Sequence, residues 1–278
     1  MARDTLAAPA SASASAACDP GTRRTLRLPR AALGLLLPVL ALIAAEAGVR
    51  TGLIPANLLP APTEIAATIA GLAHQGLGGH VLASTVRVAI GFAGGALLAI
   101  LLGALVGLNR TAQALFDPTF QALRAIPSLA WVPLLLLWLG IDEAPKLVLI
   151  GIGAFFPVYM GVVSGIRDVD RKLIEAARLY RLNRSALARR VLLPAALPAI
   201  FTGLRNGLSL AWMFMVAAEL IAASQGLGYL LSDGRETSRA DIVLSAIVLL
   251  ALLGKASDSL MRRLENRLLA WRDNYAPA

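Results

Sequence analysis

The sequence predicts an all-α membrane protein: six spanning helices joined by polar segments. Three observations carry that prediction. Hydrophobic residues fill 57% of the 278 positions and charged residues only 15%, against about 25% in a soluble domain. The apolar residues fall in runs, and about 20 helical residues suffice to cross a bilayer core. The Lys and Arg residues lie between those runs, mostly on one side.

The elements follow in chain order. Residues 1–30 are rich in Ala, Ser and Pro and end in Arg23, Arg24, Arg27 and Arg30. That composition predicts a disordered basic arm. A single six-helix domain is expected over 31–260. Its first span, 31–49, carries Glu46 near its outer end. Its second, 85–108, has no charge from Val88 onward. The third is 127–141 and the fourth 146–166. The fifth, 198–222, holds Arg205 and Glu219, and the sixth is 241–260. Residues 261–278 are a polar tail. Between the first two spans, Pro55, Pro60 and Pro62 mark an outer loop, in which 63–77 can form a helix along the membrane surface.

Charge sets the orientation. With the amino terminus inside, 20 Lys and Arg residues fall in inner segments, Arg110 and Arg124 among them. Only Arg50, Arg87, Lys146, Arg235 and Arg239 fall outside. This bias predicts that both termini are cytoplasmic. It also accounts for the net charge of +9 without a nucleic-acid partner, because no aromatic stacking platform accompanies the basic residues. The lipid bilayer is the surrounding medium.

Cys18 is the single cysteine, so neither an internal disulfide nor a cysteine metal cluster is expected. No apolar segment precedes it, as a lipid-anchor signal would require. Gly103 and Gly107, Gly161 and Gly165, and Gly203 and Gly207 are each four residues apart. That spacing lets helices approach closely in lipid.

The segment 167–198 is long and basic. Val169, Leu173, Ala176 and Tyr180 recur at helical spacing, a break follows near 182–184, and Leu187 and Val191 mark a second stripe. Asn183 or Ser185 can cap the second helix, and Pro194 and Pro198 end it. A helix-turn-helix against the inner membrane face is predicted. A basic amphipathic helix can also bind anionic lipid. Glu175-Ala176-Ala177 favours a protein partner, because two alanines leave a flat patch beside one directional carboxylate.

These residues resemble the cytoplasmic loop of permeases from binding-protein-dependent ABC importers, with Glu175-Ala176-Ala177 followed by Leu193-Pro194. Further matches are Ile126-Pro127-Ser128, Trp138-Leu139-Gly140-Ile141-Asp142-Glu143, Phe155-Phe156-Pro157, Gly203-Leu204-Arg205, Ala218-Glu219-Leu220 and Gly226-Leu227-Gly228-Tyr229. They are similar to the branch handling sulfonates, taurine and nitrate. Leu253-Gly254-Lys255 with Asp258 and Leu264-Glu265 is most like the aliphatic sulfonate permeases.

The resemblance implies a type I importer permease fold in a bacterial inner membrane. It also implies a homodimer, a cytoplasmic ABC ATPase dimer and a periplasmic solute-binding protein as partners. The cargo it implies is a small organic anion, an aliphatic sulfonate first, with taurine, nitrate or a pyrimidine-type nutrient as alternatives. It assigns ATPase coupling to Glu175, Ala176, Ala177, Arg181, Asn183, Leu193 and Pro194. In one respect the chain departs from the family: Arg181 stands where the family has Gly. Asn183 tolerates a left-handed turn better than Arg, so the break is expected to move to Asn183 and leave Arg181 helical.

No phosphate-cradling Gly-x-x-x-x-Gly-Lys-[Ser/Thr] occurs, so ATP hydrolysis belongs to a separate subunit. The chain is not expected to be an enzyme: it has no catalytic residues, metal site or cofactor. Its only histidines, His74 and His80, lie in the outer loop. A secondary transporter is the rival class, and it would place charges at mid-membrane. Arg205 and Glu219 are therefore the candidates for the solute path.

Overall fold

The computed structural model describes residues 30–271, and the secondary structure among them is helical. The arm expected over 1–30 lies outside the described residues except for Arg30, as does the end of the tail. Helix α1 (Arg30–Arg50) covers the residues expected as the first span and contains Pro38. Helix α2 (Pro62–His74) is the predicted outer-loop helix. Its first turn is capped by Glu46, whose Oε2 accepts from the Thr63 N–H at 3.2 Å. A carboxylate there satisfies a free amide and opposes the helix dipole.

Four continuous helical stretches are long and apolar enough to cross a membrane. They are α3 (Leu77–Leu108), α6 (Glu143–Arg167), Ser185–Ala222 with α9 (Leu193–Ala222) as its main part, and α11 (Ala240–Leu268). By helical rise α3 is about 48 Å long and α6 about 37 Å, both more than the ~30 Å hydrocarbon core. A bent pair, in which α4 (Arg110–Ala125) meets Ser128–Leu139, containing α5 (Val132–Leu139), at 89°, makes a fifth when its two arms are counted as one span.

Three predicted boundaries need correction. The third span, expected as one helix over 127–141, is only the second arm of this bent pair, Ser128–Leu139. Pro127 drives Ile126 out of the helical region, to φ −76° and ψ 124°, and a 3-10 turn at Ser128–Trp131 leads into α5. The second span begins at Leu77 rather than 85, because the polar residues Ser84 and Arg87 are buried and partnered rather than solvated. The fifth span has no break at Pro194 and Pro198. Helix α8 (Arg184–Leu187) runs through a π turn, Ala188–Leu192, straight into α9. In that turn the Leu193 N–H reaches back five residues to the Ala188 carbonyl, and the Pro194 nitrogen, which has no hydrogen, is accommodated. Helix α10 (Leu227–Glu236), packed on α11, has no counterpart in the sequence reading.

The core is a layer of α3, α6 and α9 with α6 in the middle. Val158, Tyr159 and Val162 on α6 are almost fully enclosed. The paired small residues make that layer thin. A Cβ on Gly161 would lie 2.9 Å from the Gly203 Cα and 2.8 Å from the Ala199 carbonyl oxygen, and a Cβ on Gly103 would strike Val162. Backbones this close gain dispersion contacts, which drive helix association where lipid supplies no hydrophobic force.

Candidate functional site

Three parts of the bundle hold its notable polar chemistry. At the end where α3 and α6 begin, Arg87 from α3 meets two carboxylates. Its Nε and Nη2 donate to Glu143 Oε2 and Oε1, both at 2.7 Å, and its Nη1 donates to Glu219 Oε1 at 2.7 Å and to the Gln225 carbonyl at 2.6 Å. Lys146 Nζ adds a 2.9 Å bond to Glu143 Oε1. Glu219 is 1% exposed, and its remaining acceptor capacity is filled by Ser84 Oγ at 2.8 Å and the Gly228 N–H at 2.8 Å. Gly226, at φ +139°, passes so close that a Cβ would sit among the Glu219 carboxylate atoms. The Gly226-Leu227-Gly228 turn is thus a backbone lid over this carboxylate.

Glu219, a path candidate by sequence, is held in a buried ion pair with Arg87. Arg205 is likewise engaged, pairing with Asp258 Oδ1 at 3.0 Å and with Glu265 Oε2 at 3.5 Å on α11. In this conformation both side chains are held by partners of opposite charge. Sequence reasoning missed Arg87, Ser84, Glu143 and Lys146. The available signal was that Arg87 and Glu219 are isolated opposite charges in otherwise apolar segments.

A cavity of about 600 Å³ lies between the end of α4, α6 and α9. Arg124, Ser128, Ser164, Thr202 and Asn206 supply its polar lining. Among the described residues, the side chains of Arg124, Ser128 and Asn206 make no hydrogen bond or ion pair. Arg124, assigned by sequence to an inner loop, lies at the end of α4 and faces this cavity.

The third part follows α6. Helix α7 (Arg171–Leu179) is short and basic. Glu175 is exposed and 3.6 Å from Arg171 Nε. Ala176 is exposed, whereas Ala177 is 5% exposed, so the two alanines do different things: one presents a surface and the other packs inward. Leu179 and Tyr180 are 85% and 83% exposed, so this chain leaves them uncovered.

The turn after α7 overturns the expectation for Arg181, which has φ +52°. The Leu182 N–H bonds the Ala177 carbonyl at 3.3 Å, the six-to-one closure of a left-handed helix end, with Arg181 in the position usually held by Gly. The turn therefore stays in place rather than moving to Asn183. Asn183 instead caps α8, its Oδ1 accepting from the Ala186 N–H at 2.8 Å and from Ser185 Oγ at 3.0 Å. Leu193 and Pro194 open α9, half-buried, just past the π turn.

Several helices long and apolar enough to cross a membrane, packed around a partly polar cavity, define a polytopic membrane protein. The chain belongs to the binding-protein-dependent transport system inner membrane component family, the permeases of ABC importers, whose profile matches residues 95–270. Among its relatives is the aliphatic sulfonates transport permease SsuC of Bacillus subtilis (strain 168). The two are 42% identical over 87% of this chain and 88% of that protein. The Escherichia coli (strain K12) SsuC is 40% identical over 81% and 86%. The taurine transport system permease TauC of the same organism is 37% identical over 69% of this chain and 70% of that protein. The nitrate import permease NrtB of Synechocystis sp. (strain ATCC 27184 / PCC 6803 / Kazusa) is 35% identical over 70% of this chain and 71% of that protein. The fold is that of the inward-facing MetNI methionine ABC transporter, with a TM-score of 0.59 at 21% identity over 68% of this chain and 94% of that one.

Proposed function

We propose that this chain is the permease of an ATP-driven importer for small organic anions, aliphatic sulfonates first. Two copies would face each other across the solute path. An ATPase dimer would dock on α7 at the cytoplasmic end, and an external binding protein would deliver the solute at the opposite end. ATP binding would close the ATPases, push on the segment 167–198 of each copy, and switch the bundle from inward-open to outward-open. Both termini would be cytoplasmic, consistent with the basic bias of the inner segments.

The observation that carries the docking part is the uncovered surface of α7 and its turn. Leu179 and Tyr180 stand almost fully exposed beside the Glu175 carboxylate and the small Ala176. Large apolar side chains rimmed by charge mark a protein contact. The substrate part rests on the sulfonate permeases at 42% and 40% identity.

The test is uptake into vesicles holding the permease, its ATPase and its binding protein. ATP-dependent accumulation of an alkanesulfonate is the expected result. Accumulation driven by an ion gradient without ATP would favour a secondary transporter instead.

A further inference from the structure

We infer that the cavity between α4, α6 and α9 is this copy's wall of the solute route that two facing copies would share, with Arg124 as its anion-selecting cation and Asn206 as a second donor. This inference rests on the importer reading above and assigns residues to it.

Position comes first. Asp117 on α4 pairs with Arg167, the last residue of α6, at 3.8 Å. Arg124 lies seven residues further along α4, about 10 Å by helical rise, and shares the cavity with Ile152, Gly153 and Phe156 from the middle of α6. Arg124 therefore lines the cavity, exposed, and without a carboxylate among the described residues. Arg87 and Arg205, by contrast, each hold two carboxylates. An unpaired guanidinium facing hydrocarbon is costly, whereas one facing a water-filled path is functional.

Donor chemistry comes second. Ser164 Oγ and Thr202 Oγ1 spend their protons on their own helix, on the Met160 carbonyl at 2.7 Å and the Pro198 carbonyl at 3.0 Å. The free donors left in the cavity belong to Arg124, Ser128 and Asn206. Asn206, near the middle of α9, is exposed, and its bare amide is as ill-suited to lipid as the arginine. A positive charge with neutral donors suits an anion rich in acceptor oxygens.

The walls come third. Phe156, Met160, Leu210 and Phe214 line the same cavity. A bare inorganic anion would leave that apolar wall untouched, while an anion with an alkyl chain fills both halves. The volume, about 600 Å³, is in the range of small-molecule sites.

The test uses the complete complex in a Cys18→Ser background. Asn206→Cys is treated with small water-soluble thiol reagents, one bearing a sulfonate and one a quaternary ammonium. The sulfonate reagent is expected to react faster, and Arg124→Gln is expected to cut that preference about tenfold, with Arg124→Lys restoring it. Hexanesulfonate should slow the reaction. Leu101→Cys, exposed on α3 outside the cavity, should stay unlabelled.

An Asn206→Cys thiol as inert as Leu101→Cys overturns the inference, as does a charge preference that ignores Arg124. Nitrate uptake without sulfonate uptake, alongside an Arg124-dependent preference, supports the anion route and overturns the sulfonate reading. Normal sulfonate uptake by the Arg124→Gln complex does the reverse.

Discussion

The Arg87 guanidinium and the Glu219 carboxylate lie 2.7 Å apart, joined across 132 residues of sequence. The contact ties α3 to α9, and Glu143 extends it to α6. One cluster therefore locks together the beginnings of α3 and α6 and the end of α9.

Removing one member should leave a buried charge without its partner. Arg87→Ala is expected to lower stability by about 3–5 kcal/mol, read as a lower unfolding midpoint in detergent. Unfolding at the wild-type midpoint would mean that Ser84 and Gly228 suffice to satisfy Glu219.

Arg181→Gly should stabilise the chain by about 1 kcal/mol, because a left-handed residue with a Cβ carries a penalty of about 1–2 kcal/mol that glycine avoids. Arg181→Ala keeps the Cβ and should give no such gain. Thermal unfolding of the three proteins side by side decides it. A destabilised glycine variant would show that the Arg181 side chain outweighs its backbone strain.

Glu175→Arg and Ala176→Trp change exposed positions on α7. Both should abolish uptake and ATPase co-purification while leaving insertion and the unfolding midpoint unchanged. Ala177→Trp differs, because Ala177 is buried: overpacking there should cost about 1–3 kcal/mol. Full ATPase binding by the Glu175→Arg permease would remove α7 as the docking site.

Gly203→Val is expected to destabilise by about 2–3 kcal/mol or more. Its Cβ would lie 2.9 Å from the Pro157 carbonyl oxygen and 3.1 Å from the Gly161 Cα, and backbone atoms of two packed helices have little room to move. Gly254→Val, where nothing lies within 4 Å, should cost far less in the same assay.

Reporter fusions test the orientation. Fusions after Arg110 should report the cytoplasm, and fusions after Gly78 and Ser232 the outside. The reverse pattern would invert the whole assignment and place α7 on the wrong side for an ATPase.

The sequence by itself determined the all-α membrane class, the glycine pairs and the break within the segment 167–198, though it left the cap open between Asn183 and Ser185. Each of these is local: apolar run length, charge between runs, four-residue spacing and capping chemistry are all read within one or two helical turns. Only the tertiary structure decided which charges are partnered. Arg87 reads as an outer-loop cation and Glu219 as a path residue until α3 and α9 pack side by side. Arg124 reads as an inner-loop cation until the 89° bend after α4 places it in the cavity. Arg181 keeps its left-handed turn because the Leu182 to Ala177 hydrogen bond closes the end of α7 there. Local preference favoured Asn183, yet the turn stands two residues earlier, at Arg181. Partnership and depth depend on contacts between distant segments, and a linear pattern of residue types carries no record of them.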